Sequence, residues 1–405
     1  MKGAGIVVTG IGAACLNAPD TPTLWQRLLD RDAGLKEGAH FDTAPFRCRR
    51  NTMADTARIR AVLTRRRPDI AQALPDQSSR ALIHGLAAAT EALAMTKALP
   101  RAMRVGLSIG TTSGSDFDRF CAGDSPDMDP ALAMPHAVLF AMADSLSLTG
   151  PVSQISNACT SGAAAIVQGV GMLRAGRADA VLAGGVDQAR PADFAGFNAL
   201  RAMSPRDCRA FDAHRDGMII GDGAALLLLE TERSARARGA NVLARLDGFG
   251  LTSDAYHSTR PQPEGLQRAI RQALAMSGSE AGAVGYVNCH GTGTPANDVV
   301  EAEAIAQVFD QPDDAPVISS TKTVTGHLLG TAAAIEAVIT ILALRHGLVP
   351  PMAHSDTPDP AIALPMALGR AVPLDRRSAL STTLGFGGSN ACLMFTLPDT
   401  LEKVA

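Results

Sequence analysis

One cysteine is placed for nucleophilic chemistry. Cys159 lies in PVSQISNACTSGAAAIVQGV, where a strand-like run ends and an alanine-rich, uncharged stretch begins. A cysteine at such a junction stands at a helix N-terminus, where unpaired N–H groups and the helix dipole favour a thiolate and can hold an oxyanion. The position predicts a nucleophile with a lowered pKa. A small buried core residue remains the alternative, because free cysteine is often only that.

Two histidines follow predicted strands in the second half of the chain. His290 lies in YVNCHGTGTPANDVVE, directly after the predicted strand Val284–Asn288. His327 lies in STKTVTGHLLGTAAAIE, with Lys322 ahead of it and Glu336 behind it. Loops after strands supply the sites at the carboxyl edge of α/β sheets. No histidine or carboxylate pair has ligand spacing, so the sequence predicts no catalytic metal.

A glycine-rich turn, GFGGSNACLMF, occupies residues 385–395. It does not follow a strand and open a helix, so it does not predict a dinucleotide site. Its backbone N–H groups can approach a ligand closely, because glycine has no side chain in the way.

An arginine-rich segment stands out in a chain whose net charge is −3. Between residues 47 and 67 it holds eight arginines against one acid, Asp55: Arg47, Arg49, Arg50, Arg58, Arg60, Arg65, Arg66 and Arg67. One interpretation is a solvated surface segment. The other is a docking surface for an acidic partner.

Short apolar runs alternate with alanine-rich helical stretches along the whole chain. Such alternation predicts an α/β fold with buried, largely parallel sheets. Residues 1–240 and 241–405 each open with a strand that runs into a glycine turn, IVVTGIG and LARLDGFG. We therefore expect two similar halves, the first with the cysteine and the second with both histidines and the glycine-rich turn.

The composition excludes several classes of protein. Hydrophobic residues make up 46% and charged residues 19%, which excludes a disordered chain. The balanced charge and an aromatic content of 4% give no support for nucleic acid binding. Seven scattered cysteines without a C-x-x-C pair favour a reducing compartment, so a cytoplasmic protein is expected. No uninterrupted apolar stretch reaches 18 residues, and Ala332–Leu344 is interpreted as a buried core helix.

Together these segments resemble the β-ketoacyl-acyl carrier protein synthases of the thiolase superfamily, in particular the elongating type. The resemblance covers nearly the whole chain. Its motifs are VVTGIG, ACTSG, RAFDAHRDGMIIGDGAALLLLE, CHGTGTPANDVVE, SSTKTVTGHLLGTAAAIE and GFGGSN. It implies the five-layered αβαβα thiolase fold and an acyltransferase that condenses an acyl-cysteine with a malonyl carrier protein.

The resemblance also implies a role for each matching residue. Cys159 is similar to the acyl-carrying nucleophile, His290 and His327 to the two histidines, and Lys322 and Glu336 to the lysine and glutamate near them. Mainly structural roles are implied for Asp298 and Glu301. The substrate-binding residues implied are Thr292, Thr294, Phe386, Gly387 and Ser113.

No metal or redox cofactor is implied, because the phosphopantetheine arm arrives on the carrier protein. The resemblance implies a homodimer, and a heterodimer with a related subunit is the alternative. It also gives the arginine-rich segment an acidic partner, with carrier docking expected at Arg47, Arg49, Arg50, Arg65, Arg66 and Arg67.

Departures from the family pattern are few. Ala210 replaces the usual Pro, Asp222 the usual Glu and Ser389 the commoner Thr. The region from Ser113 to Ser147 is short, which leaves acyl chain length and pathway open between fatty-acid elongation and a polyketide-type synthesis. Two other functions stay open: a non-catalytic partner that sets chain length, and acyl transfer without carbon–carbon bond formation.

Overall fold

The computed structural model describes residues 5–38, 40–75, 78–114, 133–311 and 315–398. Its strands are β1 Ile6–Cys15, β2 Lys36–Glu37, β3 Arg50–Thr52, β4 Val105–Gly110, β5 Val152–Ile155, β6 Ala180–Asp187, β7 Ile220–Gly221, β8 Gly223–Thr231, β9 Ala244–Ser253, β10 Val284–Asn288, β11 Val317–Ser319, β12 Leu348–Val349, β13 Val372–Pro373, β14 Ser378–Gly385 and β15 Ser389–Thr396. Its α-helices are α1 Thr21–Leu29, α2 Thr56–Arg66, α3 Pro68–Ala73, α4 Arg80–Ala94, α5 His136–Ser145, α6 Ser161–Arg174, α7 Pro191–Ala199, α8 Glu232–Ala237, α9 Pro263–Ser277, α10 Pro295–Val308, α11 Lys322–Thr325 and α12 Ala332–His346. Short 3₁₀ turns cover Ala281–Ala283 and Leu329–Thr331.

One large sheet contains ten strands in the order β11-β10-β14-β15-β9-β1-β8-β6-β4-β5. On one side, β4 pairs in parallel with β5 and β6, and the series β6, β8, β1 is antiparallel. On the other side, β10 pairs in parallel with β11 and β14, and the series β14, β15, β9 is antiparallel. The two sets of five strands therefore repeat one topology. They meet where Val7 pairs with Arg245 and Val8 with Ala244.

The expectation of largely parallel sheets was wrong for the middle of this sheet. An antiparallel neighbour is reached by a connection that stays at one end of the sheet, without the crossover that parallel strands need. The connection from β6 to β8 is of this kind, and so is the turn from β14 to β15. These connections keep residues 188–222 and the glycine-rich turn at the strand ends where functional loops lie.

Two helices pack against each other between the strand sets. Almost all of α12 is buried, and α6 is lined by small residues. A methyl group at Gly162 would lie 2.9 Å from the Cβ atom of Ala334, so glycine permits this close approach. One apolar core joins both helices to the inner faces of β1, β6, β8, β14 and β15. Helices that are apolar all round belong in such an interior.

Two further apolar cores cover the outer faces of the strand sets. One joins α2, α4 and α5 to β4, β6 and β8, and the other joins α9 and α10 to β10, β14 and β15. Each set of five strands forms one sheet layer. The layers are therefore helix, sheet, helix, sheet and helix, which confirms the predicted fold class. The boundary between residues 1–240 and 241–405 stays a prediction.

One helical stretch of the described residues, Leu329–His346, has the length and mean hydropathy, 1.4, of a membrane span. The protein buries 89% of that stretch in its interior. This agrees with the interpretation of Ala332–Leu344 as a core helix. Much of the short region expected to shape the acyl pocket, residues 115–132, lies outside the described residues.

Candidate active site

A tight turn presents Cys159 between β5 and α6. Ala158 adopts a left-handed backbone conformation with φ 47°, which is rare for a residue other than glycine. The Ser161 hydroxyl accepts from the Asn157 N–H at 2.7 Å and donates to the Ala158 carbonyl at 2.6 Å. The turn is therefore held by its own hydrogen bonds, and Cys159 directly precedes the helix cap, Thr160.

The end of strand β4 packs against this turn and fixes its position. A methyl group at Gly110 would lie 2.2 Å from the carbonyl carbon of Ser161. Such an approach is closer than any side chain permits, so the end of β4 and the start of α6 pack backbone to backbone. The nucleophile candidate thus lies on rigid elements of the first strand set.

The structure brings the cysteine and both predicted histidines together. The Cys159 sulfur and ring nitrogens of His290 and His327 all lie within 4.8 Å of one another. The two imidazole rings are nearly perpendicular, with centroids 5.4 Å apart. All three side chains are buried. One strand set supplies the cysteine and the other supplies the histidines, so the site forms only where the two sets meet.

Hydrogen bonds at Nδ1 set the tautomer of each histidine. The Lys322 ammonium, which can only donate, lies 3.0 Å from Nδ1 of His290. The Leu329 N–H donates to Nδ1 of His327 at 3.0 Å. Both Nδ1 atoms are acceptors, so each neutral ring carries its proton on Nε2. The site therefore offers two Nε2–H donors.

Burial and a nearby cation keep both histidines uncharged. Burial, with a smaller contribution from Lys322, lowers the pKa of His327 to about 3. Burial, Lys322 and His327 together hold the pKa of His290 well below its usual range. A neutral ring keeps Nδ1 as an acceptor for Lys322 or the Leu329 N–H and leaves Nε2–H as a donor.

The prediction of a lowered pKa for the cysteine was wrong. Burial raises the pKa of the Cys159 thiol to about 11, although Lys322 and the Phe386 N–H lower it. Desolvation of a thiolate in this pocket outweighs the favourable contacts at the helix N-terminus. The resting residue is therefore a thiol, and its proton must leave when substrate arrives.

Lys322 links the histidine pair to a buried acid. It forms an ion pair with Glu336 of α12, and both side chains are 1% exposed. Burial raises the pKa of Glu336, and the Lys322 ammonium opposes that rise. The pair therefore anchors the ammonium that donates to His290.

A second buried acid positions the loop that carries His290. Glu301 accepts the N–H groups of His290 and Gly291, both at 2.7 Å, and the hydroxyl of Thr382 at 2.8 Å. Burial raises the pKa of Glu301 to about 7. Asp298 accepts from Phe211 and Gly293 in the same way. These contacts agree with the structural roles implied by the resemblance.

A small cavity opens above the three central residues. Thr292 and Thr294 line it, with their hydroxyl oxygens 2.9 Å apart. Phe386 also lines it and is 39% exposed, with its ring centroid 5.8 Å from that of Phe197. Three of the five predicted substrate-binding residues therefore line the same cavity, near its opening.

Two predicted substrate-binding residues do not line this cavity. Gly387 adjoins it in the glycine-rich turn, and its N–H donates to the Ser258 carbonyl at 2.8 Å. Ser113 is buried elsewhere, and its N–H donates to Asp187 at 2.7 Å. A substrate role for Ser113 stays a prediction.

The sequence reasoning missed two groups near the site. The segment from His257 to Pro261 lines the cavity mouth. Asp187, whose pKa burial raises to about 6, ties the loop after β4 to the 3₁₀ turn before α12. Its donors are Thr111, Thr112, Ser113 and Gly330. An acid at the end of a buried strand, VLAGGVD, was the available signal.

The first three arginines proposed for docking keep their charge uncompensated by nearby acids. Arg47 and Arg49 precede β3, Arg50 is its first residue, and all three are exposed. Within the described part of the chain, their guanidinium groups donate to backbone carbonyls. A backbone carbonyl carries no net charge, so this end of the segment is a positive surface.

The other three arginines differ from one another. The Arg66 guanidinium forms an ion pair with Asp20, with Nη2 and Oδ2 3.4 Å apart. The Arg67 guanidinium pairs with Asp69, with Nη2 and Oδ2 2.6 Å apart. Arg65 is exposed at the end of α2 and has no carboxylate within ion-pair distance among the described residues. Only part of the segment therefore remains as free positive charge.

The central trio is also a set of potential metal ligands. Tetrahedral zinc with ligand distances of about 2.0–2.3 Å needs ligand atoms roughly 3.3–3.8 Å apart. The ligand atoms of the trio lie within 4.8 Å of one another, and the Lys322 ammonium beside His290 repels a cation. The expectation that no metal serves here stays a prediction.

The chain is similar to known proteins over nearly its full length. Residues 4–235 match the family Beta-ketoacyl synthase, N-terminal domain, and residues 243–356 match Beta-ketoacyl synthase, C-terminal domain. The 3-oxoacyl-acyl-carrier-protein synthase 2 of Vibrio harveyi is 34% identical, over 96% of this chain and 98% of that protein.

Solved structures agree. The ishigamide ketosynthase/chain length factor superposes with a TM-score of 0.87 at 30% identity, over 98% of this chain and 100% of that chain. A type II PKS acyl-carrier protein in complex with its ketosynthase bound to the hexaketide gives 0.84 at 25% identity, with the same coverage. Because the sequence matches span both strand sets and their loops, the chain belongs to the β-ketoacyl synthase family.

Proposed function

We propose that this chain is a β-ketoacyl-acyl carrier protein synthase that uses Cys159 as its nucleophile. The observation that carries the proposal is the convergence of one cysteine with two neutral histidines, each with its Nδ1 occupied and its Nε2–H available. That arrangement suits a decarboxylating Claisen condensation, because two neutral Nε2–H groups can stabilise an enolate oxygen by hydrogen bonds without protonating the enolate.

The first half-reaction loads the acyl group. The Cys159 sulfur forms a bond to the acyl carbon, the carrier thioester bond breaks, and the leaving thiolate takes up the proton that Cys159 loses. The N–H groups of Cys159 and Phe386, which favour negative charge on the sulfur, are suited to hold the tetrahedral oxyanion.

The second half-reaction forms the carbon–carbon bond. Malonyl thioester loses carbon dioxide, and the electron pair of the broken bond moves onto an enolate whose oxygen His290 and His327 stabilise. The enolate carbon attacks the acyl carbonyl, and the Cys159 sulfur leaves as a thiolate. A proton from solvent then restores the thiol. Lys322 and Glu336 act by positioning: the ammonium holds Nδ1 of His290 as an acceptor, and the carboxylate holds the ammonium.

Thr292 and Thr294 at the mouth are suited to hydrogen-bond the amides of a phosphopantetheine arm. The partner that delivers this arm is an acyl carrier protein, as in the solved type II complex. We place its docking on the exposed arginines of the 47–67 segment. Replacing Arg47, Arg49 and Arg50 by Glu should raise KM for carrier-bound substrate and spare small thioesters, and equal effects on both would contradict the docking.

A homodimer in the cytoplasm completes the proposal. Among described strands, β5 pairs only with β4, so one edge of the sheet is open to a partner. Phe140 of the adjacent α5 is 52% exposed, and an exposed apolar ring beside an open sheet edge favours cover by protein. Analytical ultracentrifugation tests self-association. A monomer would favour the alternative, a heterodimer with a related subunit.

The six described cysteines are all unpaired, which suits the proposed location in a reducing compartment, the cytoplasm.

Intact-protein mass spectrometry tests the reaction itself. The enzyme is mixed with malonyl carrier protein and a panel of acyl carrier proteins, and a product two carbons longer with a β-keto group is expected. Acylation of Cys159 without elongation would favour acyl transfer or the need for a second subunit. Absence of acylation would favour the chain-length-setting role. The best acyl donor separates fatty-acid elongation from a polyketide-type pathway.

A further inference from the structure

One permanently charged side chain lines the mouth of the catalytic cavity. Arg260 shares the lining with Thr292 and Thr294, and it is the single Lys, Arg, Asp or Glu among the described lining residues. The residue is exposed, and within the described ranges no carboxylate lies at ion-pair distance from its guanidinium. Its charge therefore remains available to an incoming molecule.

The loop that carries Arg260 is held in place. Nδ1 of His257 accepts the N–H groups of Thr259 and Arg260, at 3.1 and 3.2 Å. The Ser258 carbonyl accepts the N–H of Gly387 at 2.8 Å, which joins this loop to the glycine-rich turn. The backbone at Arg260 is thus fixed relative to the catalytic cavity.

The guanidinium is also held by an aromatic ring. Its central carbon lies 5.8 Å from the ring centroid of Tyr256, within the range of a cation–π contact. Asp254 fixes the loop on both sides, accepting from the N–H of Gln262 at 3.1 Å and from the side chain of Asn390 at 2.7 Å. A cation held at a cavity mouth without a counter-ion is suited to bind an anion.

A malonyl phosphopantetheine arm carries two anions, and only one of them fits this position. The malonyl carboxylate must lie beside Cys159 and the buried histidines, whereas Arg260 is exposed at the rim. A cation on that carboxylate would also stabilise the ground state and slow the loss of carbon dioxide. The phosphodiester, at the far end of the arm, stays at the rim and offers the paired oxygens that a guanidinium binds.

We infer that Arg260 binds the phosphodiester of the arm and acts as a positioning residue at the cavity mouth. The inference rests on the proposed function, since that function supplies the arm. A charge-assisted contact at an exposed rim should change binding by about tenfold at low salt.

The test compares ligands with and without the phosphate. KM is measured for malonyl carrier protein, malonyl-phosphopantetheine and malonyl-pantetheine, and ligand-observed NMR gives Kd for phosphopantetheine and pantetheine. The variants are Arg260→Ala, Arg260→Lys and, as control, Arg236→Ala, whose exposed side chain pairs with Glu232 on α8. We expect Arg260→Ala to weaken the phosphorylated ligands about tenfold and to leave the others and kcat unchanged. Arg260→Lys should keep part of the preference.

Equal losses for both ligands, or no loss, would overturn the inference. A loss confined to malonyl carrier protein would overturn it as well, because Arg260 would then contact the carrier. If the wild type binds phosphopantetheine in preference and Arg260→Ala abolishes that preference while no condensation occurs, the phosphate site stands and the proposed reaction fails.

Discussion

Replacement of Lys322 by methionine should make stability strongly dependent on pH. The change leaves the Glu336 carboxylate buried without its ammonium partner. Folding then requires a proton on Glu336, whose ordinary pKa is 4.5. Protonation at pH 8 costs about 5 kcal/mol, from 1.36 kcal/mol for each of roughly 3.5 pH units. At pH 5.5 the same cost is only about 1.4 kcal/mol.

The sign follows from proton binding. The folded variant holds a proton that the unfolded chain has released, so its stability falls as pH rises above 4.5. Urea unfolding followed by circular dichroism, at pH 5.5 and pH 8, measures the difference. The double variant Lys322→Met with Glu336→Gln has no charge to neutralise and should lose this pH dependence. Condensation should be lost in both variants, because Nδ1 of His290 no longer accepts from an ammonium. Equal destabilisation by Lys322→Met at both pH values would refute the reasoning.

Three further predictions concern the nucleophile and its helix. Gly162→Ala should destabilise the protein by about 1–3 kcal/mol, because the new methyl group meets Ala334. The control is Gly171→Ala on the same helix, whose methyl group meets no atom within 4 Å and should be neutral or stabilising. Equal Tm values for the two variants would contradict this prediction. Cys159→Ala should still decarboxylate malonyl thioester at a rate that is flat from pH 6 to 8, since both histidines stay neutral, and a rate falling below pH 6.5 would show a charged imidazole. Alkylation of wild-type Cys159, followed by peptide mass spectrometry, should accelerate steadily from pH 8 to 10, because burial raises its pKa to about 11; a plateau near pH 8 would contradict this.

Local sequence patterns were sufficient to predict the site's main parts. Strand, turn and alanine-rich helix around Cys159 predicted its place before α6, and the predicted strand Val284–Asn288 matches β10 in the structure. Those patterns are local, because periodicity and turn residues act over a few positions. Which loops meet depends on the order of strands in the sheet, and for that the family resemblance was needed.

Three features escaped the sequence because they depend on distant neighbours. The pKa of Cys159 depends on burial by loops from both strand sets, which no local pattern reports. The positive charge of Arg66 is compensated by Asp20, a residue far away in the chain. Arg260 lies on a loop without regular structure, and contacts with distant residues, such as the Gly387 N–H on the Ser258 carbonyl, hold that loop at the cavity mouth.

The protonated state of Cys159 has a consequence for the enzyme's durability. Peroxides and other oxidants attack the thiolate, and the thiol reacts far more slowly. A nucleophile that was ionised at rest would be open to irreversible oxidation between turnovers. Here burial keeps the proton on the sulfur until a thioester enters and the backbone N–H groups have a charge to stabilise. The same desolvation that opposes a resting thiolate therefore protects the residue from oxidation and confines its reactivity to the moment of acyl transfer.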